Sequence, residues 1–238
     1  SLAGSDSVQD ALFKQKGVSR VSDLDDLLEA GELFSGLHGR YPRGSGVGLI
    51  TLSGGETALT YDLASEYGVD FPDLSDQTKN QLKEVLPTFA MVGNPLDVTG
   101  VGAVHRPTYK KALQLLSEEG KIHLIAIMQN VRPGQKLTLD IAQTVADVAK
   151  ENQKPFVFYT NLSRGINDPL LEKLKKGNIP LLQGTRESLN AISSLITYSR
   201  FLRQRQSKQD SVNDFRIAFD NLSDRLPAEK ATLGESHS

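Results

Sequence analysis

Residues 46–61 read GVGLITLSGGETALTY, and this stretch decides how the rest of the chain is read. An apolar run, Val47–Leu52, stops at Ser53-Gly54-Gly55, and an amphipathic stretch begins behind the carboxylate of Glu56. A short run of this kind, closed by glycines and followed by helical periodicity, is a buried strand turning into a helix. Its two glycines let a ligand approach the backbone, and the helix behind them offers unpaired N–H groups at its positive end. The same residues can also satisfy themselves. Ser53 and Glu56 stand in capping-box spacing, each able to bond the other's N–H, for roughly 1 kcal/mol together with the dipole. A carboxylate at the third helical position also competes with an incoming anion. No GxGxxG and no P-loop lysine is present, so on spacing alone self-capping outweighs anion binding.

Downstream the pattern repeats. Leu124–Gln129, Phe156–Thr160 and Ile179–Leu182 are further apolar runs, with a weaker one at Leu96–Val98. Helical patterns fall between them at about 57–67, 76–86, 107–118, 136–151, 168–176 and 186–205. Strands alternating with helices imply βαβ units, so the expected fold is α/β: a doubly wound, mostly parallel, five-stranded flavodoxin-like sandwich. Ile50, Ile125, Ile127, Val157 and Leu181 should be buried in its sheet. Ahead of it, Ser5-Asp6-Ser7 can cap a helix bearing Val8, Ala11 and Leu12, which Gly17 ends. Ser22 or Asp23 can cap a second helix, with Leu24, Leu27 and Leu28 turned inward. The stretch 36–46, rich in glycine, proline and arginine, reads as a loop. The expected domains are thus a helical lead-in and linker (1–45), the α/β unit (46–206) and a polar linker (207–238) with a short helix around Val212–Leu222. A chain that stops in such a tail looks cut from something longer.

Bulk properties narrow the classes. The chain has 238 residues and a net charge of -2, which gives no reason to expect nucleic acid or an anionic membrane as partner. It has no cysteine, which removes disulfides, thiolate metal sites and a cysteine nucleophile. No apolar run reaches the roughly 18 residues of a membrane span, and SLAGSDSVQD is no signal peptide, so a cytoplasmic protein is expected.

Ligands of open parallel sheets bind beyond the carboxyl ends of the strands. Four segments there should share one rim: LSGGET (52–57), NPLDVTG (94–100), QNVRPG (129–134) and TNLSRG (160–165). Asp97 can orient a ligand hydroxyl or, as is more frequent, cap or staple its loop. Thr99 and Gly100 follow it. Arg132 and Arg164 can pair with phosphate, against the default of a solvated arginine. His38, His105, His123 and His237 form no constellation, and no metal-ligand spacing or nucleophile elbow is present.

SLAGSDSVQDALFKQKGVSRVSDLDDLLEAGELF (1–34), residues 48–87, VGNPLDVTG (92–100) and KPFVFYTN (154–161) are similar, in this order, to the NDP-forming acyl-CoA synthetases. That family includes ADP-forming acetyl-CoA synthetase and succinyl-CoA synthetase. The resemblance covers about residues 1–205, and ATLGESHS (231–238) resembles the approach to the family's ATP-grasp domain. It implies a modular ligase that joins a carboxylic acid to CoA through an acyl phosphate and a phosphohistidine. This chain resembles its second flavodoxin-like domain. The CoA-binding, phosphohistidine and ATP-grasp domains would then be its partners. CoA, ATP and Mg are implied for the whole enzyme, with none bound by this chain alone. The family's histidine motif, SHTG, would stand just before Ser1. By position the helix after Ser53 is the one that receives the phosphohistidine, which implies phosphate binding at Ser53, Gly54, Gly55 and Thr57. Many members have SGGPG where this chain has SGGET, which leaves Glu56 open between closing the site and binding in it. The other readings are a stand-alone module for a small anion or nucleotide, and a domain-docking scaffold. A flavin finds little support, because Tyr159 is the only rim aromatic and there is no tryptophan.

Overall fold

A computed structural model describes residues 5–132, 135–162 and 165–223, with side chains over 5–101, 104–132, 135–162 and 165–208. The chain divides into two units, Ser1–Arg200 and Phe201–Ser238. In the first, five strands form one parallel sheet: β1 (Val47–Thr51), β2 (Leu96–Asp97), β3 (Leu124–Met128), β4 (Phe156–Thr160) and β5 (Leu181–Gln183). Their order is β2-β1-β3-β4-β5, the doubly wound flavodoxin-like order expected above. The helices are α1 (Asp6–Lys16), α2 (Leu24–Gly36), α3 (Gly54–Tyr67), α4 (Asp76–Val85), α5 (Thr99–Val104), α6 (Arg106–Glu118), α7 (Lys136–Lys150), α8 (Asp168–Lys176) and α9 (Thr185–Ser223).

The period-2 alternation of each strand divides the core into two layers. On one face Ile50, Ile125, Ile127, Phe156, Phe158 and Leu181 pack with apolar residues of α4, α6, α7 and α8. On the other, Val47, Leu49, Leu124, Ala126, Val157 and Tyr159 pack with α2, α3 and α9. All five expected core residues are buried. At this density Gly48 has a role, since a Cβ there would stand 2.8 Å from the Ile122 side chain.

Three expectations are corrected. The lead-in helices do not pack through Leu12, Leu24, Leu27 and Leu28, which are 48%, 67%, 53% and 60% exposed. α1 buries no residue, and α2 buries Ala30 and Leu33, with Leu37 just beyond its end. α2 carries two apolar stripes, and the i, i+3, i+7 set Ala30–Leu33–Leu37 is the one the sheet takes. Glu29 on α2 accepts from the Gln183 N–H of β5, tying the helix to the sheet. The strand expected at Ile179–Leu182 begins at Leu181. The helix expected to end near residue 205 continues to Ser223, so 207–223 is helical throughout.

NPLDVTG sits as it does because of Asn94. Its Oδ1 accepts from Leu49 N–H at 3.0 Å, and its Nδ2 donates to Val47 C=O at 2.8 Å and to Pro72 C=O at 3.0 Å. β2 is too short to pair with this part of β1, so a carboxamide takes the place of a peptide group.

Glu119, 6% exposed, closes the end of α6. Burial would raise its pKa, but hydrogen bonds from the Ser75 N–H and hydroxyl, Thr78 and the Lys121 N–H outweigh this and bring it down to about 2. A depressed carboxylate stabilises the fold above its unfolded value of about 4.3, and the contribution is lost as pH falls towards about 2. Glu119→Gln should therefore lower urea stability by on the order of 2 kcal/mol at neutral pH. The gap to the parent should close as the pH falls below about 4. A gap independent of pH would contradict this.

Candidate functional site

The strand order changes direction between β1 and β3, and the crevice beyond their carboxyl ends is where such sheets place ligands. α3 starts there, with Ser53 as its N-cap and Gly54, Gly55 and Glu56 as its first three residues. Those three N–H groups have no intrahelical acceptor. Ser53 makes no side-chain cap bond, so the expected capping box with Glu56 is not formed. Glu56 turns instead across the crevice. Its Oε1 accepts from Asn130 Nδ2 at 2.7 Å and its Oε2 from Asn161 Nδ2 at 2.9 Å. Asn161 also donates from its N–H to Asn130 Oδ1 at 3.3 Å and accepts from the Thr185 hydroxyl at 2.6 Å. One carboxylate thus ties the turn after β1 to those after β3, β4 and β5. Two neutral amide donors outcompete a single reach-back bond, which is the physical reason for the correction.

The sequence reading passed over Asn130 and Asn161, although a signal existed. Met128 and Tyr159 are register partners, and each asparagine lies two residues further on. The two therefore leave the sheet at the same level.

Thr57 is internally satisfied, its N–H and hydroxyl both donating to Ser53 C=O at 3.0 and 3.1 Å. Asp97 staples its loop, as the commoner reading had it: its Oδ1 accepts from Thr99 N–H at 2.8 Å. That bond holds Thr99 at φ 63°, the left-handed region asparagine and glycine favour. Gly100 follows in α5 and is exposed. Below α3, Tyr159 reaches from the sheet to Thr60 with a 3.0 Å hydroxyl contact, and burial raises its pKa.

Gly54, Thr57, Asp97 and Thr99 line one open trough of about 700 Å³ that runs along α3 past Tyr61. Its outer wall is apolar: Phe89 is 68% and Met91 86% exposed. Arg132 does not share this trough. It lines a separate depression against α7 and α8, so Arg132 does not join Asp97 and Thr99 in one trough. Arg164 and His237 lie outside the described residues. His38 lies in the connection before β1, His105 contacts the Thr108 hydroxyl at 2.9 Å, and His123 packs beneath Gly44. Among the described residues no group of three acidic or histidine side chains could hold a metal ion, and no helix is long and apolar enough to cross a membrane.

The fold is thus a doubly wound α/β domain with an uncapped helix start at its switch point, the place where such sheets hold ligands when they bind them. The chain belongs to the Ligase-CoA domain family, which it matches over residues 47–174. It is 26% identical over 203 residues to the alpha subunit of acetate–CoA ligase (ADP-forming) II of Pyrococcus furiosus, a match covering 84% of this chain and 43% of the relative. It is 24% identical over 234 residues to the 4-hydroxybutyrate–CoA ligase (ADP-forming) of Nitrosopumilus maritimus, covering 97% of this chain and 32% of the relative. Among solved structures, a Pyrococcus horikoshii OT3 protein superposes with a TM-score of 0.68 at 26% identity, over 84% of this chain and 45% of that one. The chain therefore spans less than half the length of these relatives, and it is homologous to ADP-forming acid–CoA ligases over most of its own.

Proposed function

We propose that the chain is the second flavodoxin-like domain of an NDP-forming acyl-CoA ligase, and that the start of α3 receives a phosphohistidine carried by a neighbouring domain. The observation that carries this reading is the uncapped α3 N-terminus, from which Glu56 is withdrawn by Asn130 and Asn161. Phosphoryl oxygens would accept from the N–H groups of Gly54 and Gly55, whose missing side chains permit close approach, and the helix dipole favours the charge. Ser53 flanks this position. Thr57, Asp97 and Thr99 form the adjoining trough wall.

The ligase would join a carboxylic acid to CoA at the expense of a nucleoside triphosphate. CoA-binding, phosphohistidine and ATP-grasp domains would be supplied by the rest of the enzyme, which also holds CoA, ATP and Mg. The apolar wall of Phe89 and Met91 fits a surface that another of these domains covers. Segments 1–45 and 207–238 would connect to them.

The test is reconstitution. The chain alone, given acid, CoA and labelled ATP, should form no acyl-CoA and carry no label, because transfer through a histidine needs that residue and a nucleotide site. Adding the histidine-bearing and ATP-grasp modules should restore turnover. A stable phosphohistidine at His38, His105, His123 or His237 in the chain alone would overturn the assignment.

A further inference from the structure

The depression that takes Arg132 shares no lining residue with the α3 trough and has a volume of about 340 Å³. Arg132, Gln135, Lys136, Thr138, Asn167 and Pro169 are among the residues that line it. The described lining holds two cations and no carboxylate. It also includes the start of α7, a helix of 15 residues whose N-cap, Gln135, makes no side-chain cap bond. The N–H groups of Lys136, Leu137 and Thr138 therefore open towards this end without intrahelical acceptors.

Thr138 supplies an independent observation. It is 2% exposed, and its hydroxyl has no hydrogen-bond partner among the described residues. A buried hydroxyl left unpaired is destabilising, and such a group points to something that pairs with it. Threonine in a helix has two χ1 wells, so its hydroxyl can turn to meet an acceptor placed at the helix start.

We propose that this depression is a second oxyanion site, built for phosphate or a phosphate monoester. Arg132 would take two of its oxygens, while the first α7 N–H groups and the Thr138 hydroxyl take the others, with Lys136 adding charge. A tetrahedral dianion has enough acceptor oxygens for this donor set, and a carboxylate does not. The volume leaves room for an organic group on one oxygen. The site is separate from the start of α3 and does not rest on the ligase reading.

The experiment titrates the 238-residue chain with inorganic phosphate at fixed ionic strength, with sulfate and acetate in parallel, reading melting temperature and amide shifts. Phosphate should raise the melting temperature and shift the amides of residues 136–138, and acetate should do neither. Thr138→Val removes a hydroxyl that bonds none of the described residues, so without phosphate it should raise the melting temperature by about 2–4 °C. With phosphate it should bind about tenfold more weakly. Arg132→Ala should weaken binding, read at the amides of residues 136–138, at least as much. The proposal is overturned if Thr138→Val lowers the melting temperature without phosphate. It is equally overturned if Thr138→Val or Arg132→Ala binds phosphate like the parent, or if phosphate leaves the amides of residues 136–138 unmoved.

Discussion

The Gly55→Val variant is expected to fold like the parent and to lose acyl-CoA formation once assembled into the ligase. A Cβ at Gly55 would meet only the Ser53 hydroxyl, at 3.7 Å, an ordinary contact. Valine at the second position of a helix costs a few tenths of a kcal/mol, so thermal stability should barely move. The branched side chain would stand over the N–H groups that, on the proposed function, a phosphoryl group reaches. Losing such backbone donors lowers kcat by roughly 10²–10³-fold. Steady-state turnover and the rate of phosphohistidine consumption would both report it. Full activity in a folded Gly55→Val enzyme would reduce the turn to an ordinary helix start. Glu56→Ala separates the two roles of this stretch. If Glu56 closed the site as a cap, its removal would be harmless or mildly beneficial. Because it ties part-buried Asn130 to exposed Asn161, where water can take the carboxylate's place, its loss should instead cost on the order of 1 kcal/mol of stability.

A loss of about 3 kcal/mol of unfolding free energy is expected for Asn94→Ala, measured by urea denaturation of the chain. Three backbone groups, Leu49 N–H, Val47 C=O and Pro72 C=O, depend on that carboxamide, and β1 is a central strand. Asn94→Asp should be worse at neutral pH, since a carboxylate oxygen would then face two carbonyl oxygens. A change within about 0.5 kcal/mol for Asn94→Ala would show that β1 holds its place without the side chain.

The strands and their order of use were legible because parallel strands buried on both faces read as unbroken apolar runs. LIAIM and FVFYT cannot be mistaken for surface. The helices between them followed from turn signals, and most fell within one or two residues. α2 was misjudged because it bears two leucine-containing stripes, and local periodicity does not say which one a sheet will take. SGGET was misjudged for a related reason. The capping box is a local inference, whereas Glu56 is held by residues 74 and 105 positions away in the sequence. Only the register of β3 against β4 brings Asn130 and Asn161 together. The part Asn94 plays was not legible, because a side chain that completes a strand ladder leaves no periodic trace. Arg132 belonged to the expected rim by its position after β3, yet the turn carries it to the α7 side. Which strand a loop follows is written in the sequence; which flank of the loop a side chain takes is set by packing.

The central claim, that the start of α3 meets a phosphorylated histidine, is tested most directly by labelling the chain with ¹⁵N and adding the histidine-bearing domain of the same ligase before and after phosphorylation. The phosphorylated domain should move the Gly54 and Gly55 amide protons downfield, as charge-assisted hydrogen bonds form, and the unphosphorylated domain should not. Identical spectra at Gly54 and Gly55 with the two forms of a domain that binds would contradict it.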